Sequence, residues 1–260
     1  MKEPMPLVLP PITDPLIHAQ IDRLAMRYLE ASGPGMKVME RVGDGAEGLI
    51  ARLPTFVRAR LDGVTQAALM RAFGAASRSR KVVRDRGDWF NRMASTVSGA
   101  AGGVGGFVGA LVELPFTVTL LLRAMLDIAA EHGLDPESEE VRVECLRIFA
   151  AAGPMAEDDQ TDLGLLAARL SVTGQTVQSL VSKVAPRLSI SLGQKMAAQA
   201  APVFGAVVGA SINYVFARYY QELARVHFGL MRLSVETGLP REALTEALRL
   251  SIQRQMPAPR

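Results

Sequence analysis

Two stretches of this chain are too poor in charge and too rich in glycine to form ordinary surface. Val97–Leu122, VSGAAGGVGGFVGALVELPFTVTLLL, holds one charged residue, Glu113, and is flanked by Arg92 and Arg123. Its glycines, Gly99, Gly102, Gly103, Gly105, Gly106 and Gly109, form three overlapping GxxxG pairs. Met196–Ala217, MAAQAAPVFGAVVGASINYVFA, has no charge between Lys195 and Arg218 and carries Pro202, Asn213 and the pair Gly205/Gly209. Glycine costs a helix about 1 kcal/mol relative to alanine. Its repetition at this spacing is explained where another backbone must approach closely. The pattern predicts a seam of small residues along which two helices meet each other or a bilayer.

The rest of the chain reads as helix. Asp14-Pro15 is a start signal, with Asp as N-cap and Pro in the first turn. Ile17, Ile21, Leu24 and Tyr28 follow at helical spacing up to Gly33-Pro34. A glycine-weakened stripe over Val38–Leu53 and an amphipathic face on Val57, Leu61, Val64 and Ala68 come next. Beyond the central stretch, a helix is expected through Leu111–Ile128, kinked or restarted at Pro115 and ended by Gly133. Asp135-Pro136-Glu137 predicts a new N-terminus. Val141, Cys145, Ile148 and Ala152 make the buried face of that helix, which makes Cys145 a core residue. Leu165–Val184 is a further helix. The second apolar stretch continues through Ser234 as one long helix, Gly238-Leu239-Pro240 breaks it, and Arg241–Arg254 is a last amphipathic helix on Leu244, Leu248 and Ile252. No strand pattern is found. The expected fold is all-α, a multi-helix bundle with the two Gly/Ala-rich segments at its centre. It comprises an extended arm at 1–14, one helical domain over 15–256 with an internal loop at 153–163, and a frayed tail at 257–260.

Composition narrows the function. Apolar residues make up 49% and charged residues 21%, which excludes a disordered chain. The mean hydropathy of +0.18 lies between soluble and polytopic membrane proteins. Cys145 is the only cysteine, so neither an internal disulfide nor a cysteine metal site is available. The proline-rich start MKEPMPLVLPPITDP has no apolar run of the signal-peptide kind, and a cytoplasmic location is expected. The net charge is +3. A basic patch stands just before the central stretch, at Arg78, Arg80, Lys81, Arg84 and Arg86, with Trp89 following. Such a patch is either a solvated helix face or a binding site for anionic headgroups, each residue near the surface contributing roughly 1 kcal/mol.

Motifs for chemistry are missing. There is no GxxxxGK[ST], GxSxG or HExxH, and Gly103/Gly105 lacks the third glycine of GxGxxG, with Val108 in its place. His18, His132 and His227 have no ligand-spaced partners. Glu157, Asp158, Asp159 and Asp162 in the internal loop match no known cation loop. No catalytic residue, metal or cofactor is expected. Nucleic acid is disfavoured as a partner, because the basic patch has little aromatic interleaving.

Three segments resemble the EcsC family of bacterial proteins: GAAGGVGGFVGA leading into LPFTVTLLLRAMLDIAAEHGLD, then VRVECLRIFA, then PVFGAVVGASINYVFA with ELARVHFGLMRL. In the third, Pro202, Gly205, Gly209, Asn213, Ala224 and Phe228 match the family pattern, and the likeness covers roughly residues 75–233. The resemblance implies a helical, membrane-associated protein, encoded in some bacteria beside an ABC exporter, with a poorly defined activity. One departure stands out. Where other members often carry an aromatic YY-x-x-R segment, this chain has Leu163–Arg169, LGLLAAR. Residues and resemblance together lead to a non-enzymatic protein at the inner face of the cell membrane. Its partners would be anionic lipid or an integral membrane protein of the ABC-transporter type. The limited hydrophobicity of both stretches favours peripheral or conditional contact over stable spanning. The alternatives are a soluble all-α scaffold with an apolar tunnel for a lipid or acyl chain, and a hydrolase using the acidic loop with His227 or His132.

Overall fold

Asp14 turns the chain into its first helix by accepting a hydrogen bond from the Leu16 amide at 2.8 Å. The computed structural model describes residues 10–31, 65–72, 106–150 and 205–256, with isolated positions between them. Among the described residues all regular structure is helical: α1 (Pro15–Ala31), α2 (Gly106–Glu131), α3 (Glu139–Ala150), α4 (Gly205–Thr237), α5 (Arg241–Gln255) and the helical stretch 65–72.

α2 passes through Pro115 without ending. Proline leaves the carbonyl four residues earlier without its helical donor, and the helix continues because its next turns are buried almost without interruption from Thr117 to Leu126. Gly133 closes α2 with φ +76°. The Leu134 amide reaches back to Ala129 O at 3.0 Å and the Gly133 amide to Ala130 O at 3.0 Å, which satisfies the last carbonyls. The start of α3 departs from the sequence expectation. Asp135 holds the turn, accepting from the Glu137 amide at 2.9 Å, and Ser138 is the residue whose hydroxyl caps the helix, at 3.2 Å from the Val141 amide. The helix therefore begins at Glu139, because a serine three residues further on satisfies its first-turn donors.

Side-chain pairs fix the directions. Phe149 meets Tyr220 edge-on, with centroids 5.2 Å apart, while Glu144 meets His227, so α3 runs antiparallel to α4. At the C-terminal end of α2, His132 Nε2 lies 3.8 Å from where a Cβ on Gly229 would be. An antiparallel α2 would carry Val118 beyond the end of α4, yet Val118, Leu122, Phe216 and Tyr220 share one core. α2 and α4 thus run in the same direction. That core also takes in Ala68, Leu69 and Ala72 of the stretch 65–72 and the buried face of α3. Cys145 is fully buried within it.

A second core lies on the other side of α4. Val226, Leu230 and Leu233 of α4 pack with Ile21 and Ala25 of α1 and with Leu244, Leu248 and Ile252 of α5. α1 and α5 are also tied by polar bonds. Ser251, Arg254 and Gln255 all reach Asp22, the last through its backbone carbonyl.

Candidate functional site

Glu144 stands one position before Cys145 on the face of α3 that also carries Val141 and Ile148, so folding the helix onto the core takes its carboxylate inside. Its side chain is 2% exposed. On the facing side of α4, His227 falls among Leu223, Val226 and Leu230 and is equally enclosed. His227 Nε2 donates to Glu144 Oε2 at 2.8 Å. The other oxygen accepts from Arg147 at 2.7 Å and from Arg241, the first residue of α5, at 3.1 Å. Arg241 also reaches Glu140 at 3.0 Å. Burial by itself pushes the Glu144 carboxyl up. The hydrogen bond and charge of His227, then the charges of Arg147 and Arg241, outweigh it and hold the group at about 2. A carboxylate so acidic, with both oxygens engaged, is a poor proton acceptor. What it does is join α3, α4 and α5 at one point.

A second ion group ties α1 to α4. Glu222 accepts from Arg27 at 3.0 Å and from Arg225 at 3.2 Å. Burial, and then the neighbouring Arg27, lowers the Arg225 guanidinium from its ordinary value.

Beside this group, where α1 crosses α4 near the end of α2, an open cleft of about 340 Å³ is lined by Arg23, Arg27, Arg232 and His132 over Leu24 and Leu233. Gly229 forms part of its wall, because a Cβ there would come within 2.8 Å of Leu24 Cδ2.

Of the residues singled out in the sequence, Gly106 and Gly109 fall in the first turn of α2, and Gly205, Gly209 and Asn213 in the first turns of α4. Gly99, Gly102, Gly103, Gly105, Pro202, the patch Arg78, Arg80, Lys81, Arg84 and Arg86, and the acidic loop lie outside the described residues. The common direction of α2 and α4 puts both glycine-bearing starts at the end of the bundle away from His132. Counting back along both helices from the His132–Gly229 contact, Phe116 and Tyr214 fall at nearly the same level, and they are 50% and 40% exposed. Among the described residues no helix is long and apolar enough to cross a membrane.

The model of the EcsC protein family matches residues 77–233, more than half of the chain. This chain belongs to the EcsC family. No curated protein and no solved structure matches it. The EcsC region holds both glycine-rich segments, α2, α3 and most of α4, and with them Glu144 and His227. It ends before Arg241, so α5 supplies the last partner of Glu144 from outside the EcsC match. α1, with Arg23 and Arg27, is also outside it.

Sequence reasoning missed Glu144. The available signal was an acid next to the apolar positions of α3, in VRVECLRIFA, and a histidine among the apolar positions of α4. Neither shows its partner until α3 and α4 are paired. His227, considered beside the acidic loop, bonds Glu144 through Nε2, and the loop itself lies outside the described residues.

Proposed function

We propose that this EcsC protein is a non-enzymatic, membrane-associated helical protein. It engages anionic lipid or an integral membrane partner of the ABC-transporter type through its glycine-bearing helix starts and the arginine-rich stretch before them. The observation that carries this reading is the shared direction of α2 and α4. Two helix starts without a basic residue, bearing Gly106, Gly109, Gly205 and Gly209, are brought to one end of the bundle, and Glu113 is their only acid. Small residues at such an end let helices approach an apolar partner backbone closely. Phe116 and Tyr214, exposed at one level just behind that end, suit the boundary between hydrocarbon and headgroups, where aromatic rings are favoured. The ion groups of Glu144 and Glu222 lie in the body of the bundle, towards the other end.

Fractionation of the untagged protein from its own cells tests the reading, with salt and carbonate washes of the membrane pellet. Release by salt means attachment through the arginine-rich stretch, and retention through carbonate means that the glycine-bearing helices insert. Recovery of all the protein in the soluble fraction overturns the proposal and points to a buried ligand instead.

A further inference from the structure

We infer that the cleft between α1, the end of α2 and α4 binds a small phosphate monoester. This goes beyond the membrane reading, because the cleft lies by His132, at the end of α2 away from the glycine starts. At 1.5 Å per residue the two ends of α2 are about 38 Å apart.

The argument begins with how its arginines are held. Arg23 donates from Nε to Ala19 O at 3.2 Å. Arg27 uses Nη1 on Glu222. Arg232 uses Nε on Glu236. Each guanidinium is anchored through one nitrogen, and a guanidinium has five N–H donors in a rigid fork. Anchoring of this kind orients the remaining donors and reduces the entropy lost when a ligand arrives. Arg23, Arg27 and Arg232 border the cleft, where Glu236 pairs with Arg232 and Glu222 with Arg27 and Arg225, so four arginines stand against two acids. Such a surplus favours a dianion over a carboxylate. A phosphate monoester carries close to two charges and three terminal oxygens at neutral pH, enough for three forks.

The remaining lining accounts for the rest of the molecule. His132 Nδ1 donates to Ile128 O at 2.8 Å, which fixes the ring and leaves Nε2 on the Gly229 side. Gln20 offers an amide to a hydroxyl, and Leu24 and Leu233 offer an apolar floor to a short carbon skeleton. A volume of about 340 Å³ is larger than bare phosphate needs and falls in the range of small-molecule sites. The ligand chemistry is thus a phosphate monoester on a small polyol. It can come from a free metabolite or from a lipid headgroup, and the position of the cleft favours the free one.

The test is calorimetric titration of the full chain with sn-glycerol 3-phosphate, alongside flotation with phosphatidylcholine vesicles containing phosphatidic acid. Saturable binding of sn-glycerol 3-phosphate is expected. Binding should weaken about tenfold in each of Arg23→Gln and Arg232→Gln, as expected for losing hydrogen bonds to a charged group. Both residues are exposed, so folding should be unaffected, and Arg218→Gln, elsewhere on α4, serves as the control with unchanged binding. Arg23→Lys keeps the charge without the fork and should recover only part of the affinity. No binding in either assay, or binding that both glutamine variants leave intact, overturns the site. Flotation abolished by those variants, with no binding of sn-glycerol 3-phosphate, overturns the soluble source and assigns the site to a lipid headgroup.

Discussion

His227 on α4 donates to Glu144 on α3 at 2.8 Å, and both side chains are buried beside a core of aliphatic and aromatic groups. Two arginines complete the shell on the other carboxylate oxygen. Removing the negative charge leaves those cations facing a neutral group at a point where Glu144 itself is 2% exposed. Glu144→Gln should therefore lower the unfolding free energy by about 3–5 kcal/mol. Glu246→Gln is the contrast, since the Glu246–Arg249 pair is at the surface of α5, and it should cost less than about 1 kcal/mol. Urea melts of the two variants and the parent protein measure both.

The same carboxylate makes the fold sensitive to acid. Its pKa falls from 4.5 to about 2 on folding. Between those values the unfolded chain binds the extra proton. The stability this group contributes is complete above about pH 4.5 and disappears as the pH falls towards 2, amounting to about 3 kcal/mol. Urea midpoints measured from pH 6 to pH 3 should drop steeply below about 4.5. In Glu144→Gln the drop should be shallower, and an equal slope in both proteins would remove Glu144 from this role.

Gly133 and Gly238 have φ of +76° and +69°, and nothing lies within 4 Å of a Cβ added to either. The left-handed backbone alone decides the cost. Alanine at each position should destabilise by about 1 kcal/mol, and asparagine by less, because it tolerates that region. Thermal melts of the four single variants separate these outcomes.

Gly229 behaves differently. It lies inside α4, so alanine gains helix propensity of about 1 kcal/mol, and its Cβ would press on a methyl of Leu24, which can turn away. Gly229→Ala should be close to neutral. Gly229→Val adds branches that Leu24 cannot clear and should cost about 1–3 kcal/mol. Differential scanning calorimetry of the pair tests the contact, and equal melting temperatures would argue against it.

If the arginine-rich stretch binds headgroups, the protein should pellet with vesicles containing anionic lipid and less so as salt rises. The triple variant Arg80/Lys81/Arg84→Ala should lose most of that binding. Sedimentation that neither salt nor the variant changes would rule out an electrostatic contribution from this stretch.

Local chemistry was readable in the sequence wherever it acts over one or two turns. Asp14 caps α1, Gly133 and Gly238 end helices, and Leu244, Leu248 and Ile252 mark the buried face of α5, all as their spacing predicts. The α3 start was displaced because Asp135 and Ser138 both qualify as caps, and only the folded turn shows which one meets a helical amide. The ion groups were not readable. Glu144 and His227 are separated by 83 positions, and no periodicity in either helix states that the other will lie opposite. The cleft escaped for the same reason, since Arg23 and Arg232 look like solvated face residues in their own helices and become neighbours only when α1 crosses α4.

The pairing of α1 with α5 has a consequence for biosynthesis. α1 is the first of the described helices to leave the ribosome, and the partners of Ile21, Ala25 and Asp22 are on α4 and α5, made much later. Contacts so distant along the chain form late, and a nascent apolar face without its partner is prone to wrong association. The growing chain therefore carries the face of α1 without these partners until α5 is made, 229 positions after Asp22, which makes this helix the natural point for a holding chaperone to act.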